Sequence, residues 1–390
     1  MQGGQDMRRR RTGFSGRLIC RQRGRRRYAG RGYKFFNILS VCVFAAAFSI
    51  YGLTNLPEAE EGGDVSVFQG IGSLADQVKE LYSGSDAQQP AGNVTLSQLS
   101  GISDLEIKVL DDDSGKIAEV PLEEYVACVV ASEMPSDFET EALKAQAVAA
   151  RTYASARKQE FEAGKCSHYD EGAYVCNTTH CQVYRTEEGL REVKGDEWME
   201  KNFPKILSAV YETAGEVLYY DGSLVEQPLF FSSGGERTEN SEDVFVSAVP
   251  YLRSVESGAY EEESPHKDVE VTVTMEDVKS KVSAAYGAEA GQSVTAETIQ
   301  VISRTDGGAV AEMKMGNLEL TGRQVRSLFG LASADFEVNI GNGEVTFVTS
   351  GSGHRVGLSQ YGANGMAKQG KTYREILEHY YSGVEVKKQK

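Results

Sequence analysis

Apolar positions recur along this chain with several different periods. Residues 35–53, Phe35 to Leu53, carry no charge and are apolar on every face. At about 1.5 Å of helical rise per residue they nearly span the hydrocarbon core of a bilayer. A transmembrane helix is predicted there, because a soluble helix would keep a polar stripe. A cleaved signal peptide would have a shorter apolar stretch and a small-x-small cleavage site, and Leu53-Thr54-Asn55-Leu56-Pro57 offers no good one. Residues 54–103 lose the pattern, with only weak periodicity around Ile71, Leu74, Val78 and Leu81, and read as a flexible stalk with room for one short helix.

From Leu105 the pattern sharpens. Leu105–Leu110 alternates as a half-buried strand, and Asp111–Lys116 closes a hairpin onto Ile117–Val120. Pro121 suits a first helical turn, after which Leu122, Tyr125, Val126, Val129 and Val130 recur at helical spacing until Pro135. A longer helix follows over residues 139–162. Its acids Glu139 and Glu141 suit the positive end of the dipole, and its seven alanines allow close packing.

Gly215–Phe231 reads as strand, turn at Asp221-Gly222, and strand, leading into the polar loop Ser232-Ser233-Gly234-Gly235. Residues 255–345 look like a smaller inserted α/β unit, with strands at Val269–Thr274, Ile299–Arg304 and Ala309–Met315 and helices at Met275–Tyr286 and Gly322–Phe329. A strand at Glu344–Thr349, the glycine-rich Gly351–His354 and a helix opened by a Thr372/Glu375 capping box complete the chain. The expected class is α+β over residues 104–390, preceded by the stalk, the transmembrane helix and a tail over residues 1–34.

Charge gives this layout a direction. Residues 1–34 hold eleven Arg and one Lys against Asp6, a balance of +11, and the chain total of −16 leaves −27 for the rest. Basic residues flanking a span are retained in the cytoplasm, so everything from about residue 55 should lie outside. The acidic outer part argues against nucleic acid as a partner.

Two clusters carry candidate chemistry. Glu133 sits at the end of the first helix among Val129, Val130, Ala131 and Met134. Apolar neighbours and the negative end of a helix dipole both disfavour its ionised form, as a general acid requires, although a solvent-facing Glu at a helix end has the same spacing. The second cluster, Cys166, His168, Cys176, His180 and Cys181, places five candidate ligands within sixteen residues. Four of them could hold zinc tetrahedrally, and the rival is a Cys176–Cys181 disulfide in an oxidising compartment.

Three strings narrow the choice. Val120–Pro135 with Phe138–Tyr153, Phe231–Glu239 and Gly353–Ala367 closely resemble the stage II sporulation protein D (SpoIID) family over about residues 105–385. The resemblance implies mixed helices and strands around a glycan-binding groove. It implies lytic transglycosylase action on peptidoglycan during spore engulfment, with Glu133 as the catalytic residue and peptide-stripped strands favoured. The implied partners are an upstream peptidoglycan amidase and membrane components of the engulfment machinery. The implied location is the mother-cell membrane, facing the intermembrane space.

Candidates for lining the groove are Gln146, Arg151, Ser232, Ser233, Gly234, His354, Ser359, Gln360 and Tyr361, each with an alternative as ordinary packing, turn or solvated surface. A structural zinc on His168, Cys176, His180 and Cys181, with Cys166 as substitute, is also implied. A closed four-ligand site leaves no position for a catalytic water. The chain departs from the family at Arg355, where a glycine is usual, and a positive φ would strain an arginine there. A relative in the same family acts instead as a cell-wall-binding enhancer of an amidase, which keeps a non-catalytic alternative open.

Overall fold

The structure is a computed structural model describing residues 94–162, 172–245 and 247–389. The basic tail and the predicted span at 35–53 lie outside the described residues, as does most of the stalk. Among the described residues, no helix is long and apolar enough to cross a membrane.

The fold begins earlier than the alternation at Leu105 suggested. A short helix α1 (Leu96–Ser100) is closed by a Thr95/Gln98 capping box, and Val94 and Leu99 are buried in the main core. Residues 94–103, assigned from the sequence to the stalk, are therefore part of the folded body. Strands β1 (Glu106–Leu110) and β2 (Ile117–Pro121) form the hairpin, antiparallel from Glu106↔Pro121 to Leu110↔Ile117, and β3 (Val175–Cys176) adds to β1 in parallel.

Helix α2 (Leu122–Glu133) starts on Pro121 with Glu123 and Glu124 in its first turn. It stops because Met134, which precedes Pro135, is driven into extended backbone (φ −110, ψ 141). Nine of its twelve residues are buried, so α2 lies inside the body, packed against α3 (Thr140–Glu162).

The connection from 186 to 212, which no sequence pattern above assigned, folds into α4 (Glu187–Lys194), α5 (Asp196–Lys201) and α6 (Phe203–Glu212). Thr186 caps α4 by accepting from Gly189 N. Strand β4 (Glu216–Tyr220) turns into β5 (Ser223–Leu224), and β6 (Phe230–Phe231) runs up to the serine–glycine loop, followed by the single turn α7 (Ser241–Val244).

A second apolar cluster lies between Val278 and Phe347, apart from the main one. It is built from β7 (Val269–Thr274), α8 (Met275–Tyr286), α9 (Ala288–Gln292), β8 (Ile299–Arg304), β9 (Val310–Met315), β10 (Leu318–Leu320), α10 (Gly322–Phe329), β11 (Phe336–Gly341) and β12 (Glu344–Thr349). The entering strand β7 and the leaving strand β12 pair antiparallel, Val269 opposite Thr349. The chain therefore returns to where it departed, and Gly351 N bonds His266 O at 2.9 Å.

Residues 255–264, placed by the sequence in the inserted unit, pack elsewhere. Ser257 Oγ meets Tyr380 Oη at 2.9 Å, and Tyr260 joins the main core. The remaining elements also belong to that core: β13 (Leu358–Ser359), parallel to β6; α11 (Gln360–Lys368); α12 (Tyr373–Tyr380); and β14 (Val384–Lys388), antiparallel to β4.

Candidate active site

Glu133 ends α2 with its side chain half-buried. Its Oε1 accepts from Val183 N at 2.7 Å, and its own carbonyl accepts from Gln360 Nε2 at 3.2 Å. Val183 is held there by its neighbours: Gln182 Oε1 accepts from Tyr125 Oη at 3.1 Å, and Tyr184 stacks on the Tyr125 ring at 5.3 Å. Burial pushes the Glu133 carboxyl above its ordinary range, against the opposing effects of the Val183 N–H and the Arg185 charge. The arrangement can keep a proton on a carboxyl that one backbone donor orients.

Gln360 opens α11, and the residues on either side of it tie Glu133's neighbourhood to the serine–glycine loop. Tyr361 N bonds Ser232 O at 3.0 Å, and the Tyr361 ring meets Phe138 edge-on at 5.0 Å. Ser359 caps α11 through Gly362 N and donates its hydroxyl to Glu261 Oε1.

Glu261 was not among the sequence candidates, and it is the centre of this second cluster. It also accepts from Ser233 Oγ at 2.8 Å, Gly234 N at 2.9 Å and Ser257 Oγ at 2.7 Å. Burial raises its carboxyl while these donors pull it back. A Cβ at Gly234 would stand 3.0 Å from Glu261 Oε1 and 3.1 Å from Ser257 Oγ, so a side chain there would press on this cluster. Ser233 and Glu261 line a polar pocket with Ser264, His266, Ser350 and Gly351, and Glu133 is not among its walls.

Ser359 and Gln360, proposed for the groove, are buried, and three further candidates are placed differently. Arg151 is fully buried and grips Glu123 through Nε and Nη2 at 2.6–3.0 Å, with further bonds to the Glu216 and Val210 carbonyls. It is an internal ion pair joining α2, α3, α6 and β4, because a buried guanidinium needs a carboxylate partner. Gln146 is also fully buried, its amide without a hydrogen-bond partner among the described residues, and so cannot line a surface groove.

His354 packs between Phe231 (5.6 Å) and Phe245 (5.7 Å) and accepts from Val356 N at Nδ1. Burial pushes its imidazole down to about 4, leaving it neutral at physiological pH.

Arg355 does take a left-handed backbone, φ 63, as the glycine it replaces would. The strain, on the order of 1 kcal/mol, is offset by ion pairs to Asp335 at 3.1 Å and Glu239 at 3.4 Å. Its guanidinium also donates to the Gly234, Arg237 and Gly307 carbonyls. The arginine thereby binds the serine–glycine loop to the second cluster's flank.

Cys176, His180 and Cys181 bring their ligand atoms within 4.8 Å of one another. His180 Nδ1 lies 3.9 Å from Cys176 Sγ and 3.6 Å from Cys181 Sγ. Bond lengths for tetrahedral zinc predict an S···N edge of about 3.6 Å, close to these two distances. Cys176 and Cys181 are not joined to each other by a disulfide. His168 and Cys166, either of which would complete the set, lie outside the described residues.

Comparison with known proteins gives the family. A family model described as "Stage II sporulation protein" (SpoIID) matches residues 111–220. Stage II sporulation protein D of Bacillus amyloliquefaciens is 39% identical over 284 residues, covering 73% of this chain and 79% of the relative. That of Bacillus subtilis (strain 168) is 38% identical over 316 residues, covering 81% and 87%. The chain belongs to the stage II sporulation protein D family, and its role is in sporulation. An amidase enhancer of Bacillus subtilis (strain 168) is 28% identical over 303 residues, 66% of this chain but 39% of that protein.

Proposed function

We propose that this protein is a membrane-anchored lytic transglycosylase acting on peptidoglycan glycan strands, peptide-stripped ones above all, during spore engulfment. The observation that carries the reading is Glu133: a carboxyl raised by burial, oriented by one backbone N–H, and still reachable from outside.

Glu133 donates its proton to the oxygen linking N-acetylmuramic acid C1 to N-acetylglucosamine, and that bond breaks. The muramic acid 6-hydroxyl closes on C1 and returns its proton to the Glu133 carboxylate, leaving a 1,6-anhydro end without consuming water. One carboxyl suffices because the nucleophile is internal to the sugar, unlike the paired carboxylates of hydrolases.

Zinc on Cys176, His180, Cys181 and His168 or Cys166 would staple the loop that leads into Val183. Its role there is structural. Residues 35–53 serve as the anchor, with the tail in the cytoplasm and the catalytic body outside, on the mother-cell side. An amidase that strips the strands works upstream.

The test is to incubate the protein with denuded strands and look by mass spectrometry for anhydro-ended fragments. They should form with the parent and disappear with Glu133→Gln. The relationship to an amidase enhancer supports a second reading, a wall-binding activator without chemistry of its own. A folded parent that yields no anhydro ends yet stimulates an amidase would establish that reading instead.

A further inference from the structure

Two cations tethered to the Glu133 segment form no ion pair among the described residues. The chain is acidic overall, and its cations are commonly matched: Arg191 sits on Glu187 and Asp196, Lys201 on Glu197, Lys144 on Glu141 and Glu212. Arg185 and Lys194 are half-buried, and neither forms an ion pair or hydrogen bond among the described residues. Lys194 Nζ rests 4.7 Å from the Trp198 ring centroid.

Both are tethered to the Glu133 segment. Arg185 lies two residues beyond Val183, whose N–H holds the Glu133 carboxyl. Trp198, under Lys194, bonds through Nε1 to Ser136 Oγ at 3.1 Å, three residues past Glu133. Arg185 is close enough for its charge to act on both Glu133 and Lys194, and the two cations repel. Half-buried like charges with no ion-paired carboxylate make a ready site for an anion.

Within the strand chemistry assigned above, on which this inference rests, the sugar beside the scissile bond can supply one. Muramic acid carries a lactyl ether that is a neutral amide while the stem peptide is attached and a carboxylate once the peptide is gone. N-acetylglucosamine has no such group. We propose that Arg185 and Lys194 are specificity-determining residues that read this lactyl carboxylate. They favour peptide-free muramic acid at the bond to be cut and gain nothing from an amidated one.

Trp198 is the chain's sole tryptophan, so its fluorescence reports occupancy beside Lys194. The full chain carrying Glu133→Gln, which binds without cleaving, is titrated with peptide-free muramyl oligosaccharide and with the same glycan methyl-esterified at the lactyl group. The free acid should bind about tenfold tighter, the scale of one charge-assisted hydrogen bond, and the preference should shrink at high salt.

Adding Arg185→Gln and Lys194→Gln should abolish the preference while leaving affinity for the ester unchanged, and Arg185→Lys should retain most of it. Equal affinity for acid and ester, or a preference that survives the double substitution, overturns the proposal while leaving the glycan reading intact. Failure to bind either glycan overturns the glycan reading itself, and this inference with it.

Discussion

Glu133, half-buried, and Glu261, buried, are both glutamates raised by desolvation, yet they are built for opposite tasks. Glu261 accepts four donors, from Ser233, Gly234, Ser257 and Ser359, which come from three separate stretches of chain. Glu133 accepts one, from Val183. A carboxylate saturated with donors is a structural hub: giving it a proton would orphan the groups around it. A carboxyl with a single donor is oriented and can still exchange a proton with something that approaches. Burial alone therefore does not mark the acid. The number of hydrogen bonds set against burial does.

The sharpest way to break this contrast is to replace each carboxyl by its amide. Glu133→Gln should lower anhydro-end formation by roughly 10²–10⁴-fold, the usual worth of a general acid, with the melting temperature unchanged. Glu261→Gln should do the reverse. Its NH₂ would face groups that donate, at a cost of about 2–3 kcal/mol, or a melting temperature lower by roughly 3–5 °C in a body of this size. Activity per folded molecule should stay within a few-fold. An inactive Glu261→Gln protein with a native melting curve would exchange the two roles.

Some of this was legible in the sequence and some was not, for local reasons. The limits of α2 follow from Pro121 and Pro135, and the apolar run before Glu133 points correctly to desolvation as the leading cause of its shift. Arg151 and Gln146 misled as groove candidates because α3 is buried on several faces from Ala142 to Ala156. Seven alanines on one helix were already a sign that neighbours press on it from all sides, and an arginine in such a setting requires a carboxylate such as Glu123. Glu261 sits in the run Tyr260-Glu261-Glu262-Glu263, which looks like solvated surface. Its partners lie up to 98 residues away, and no local period carries that information. Arg355 is intermediate: its departure from glycine correctly flagged a left-handed backbone, but not Glu239 and Asp335, which hold it there.

A smaller effect separates scaffold from chemistry at the thiol loop. Metal analysis of the purified protein should find about one zinc per chain, and chelation should lower the melting temperature by several degrees. Activity should fall only in step with the loss of folded protein. Protein free of zinc would end the metal assignment. Chelation that stopped the reaction without changing the melting curve would place the metal in the chemistry instead.

The smallest effect is the most specific. Glu133 must be protonated to act, so activity should decline as pH rises through its raised pKa. Arg185 pulls that pKa down, because a nearby positive charge favours the carboxylate. Arg185→Gln should therefore move the alkaline limb of kcat to higher pH. At pH values on that limb the variant's kcat should exceed the parent's, even as its KM for peptide-free strands rises. A limb that stayed in place, or moved to lower pH, would mean that the group titrating in the profile is not Glu133.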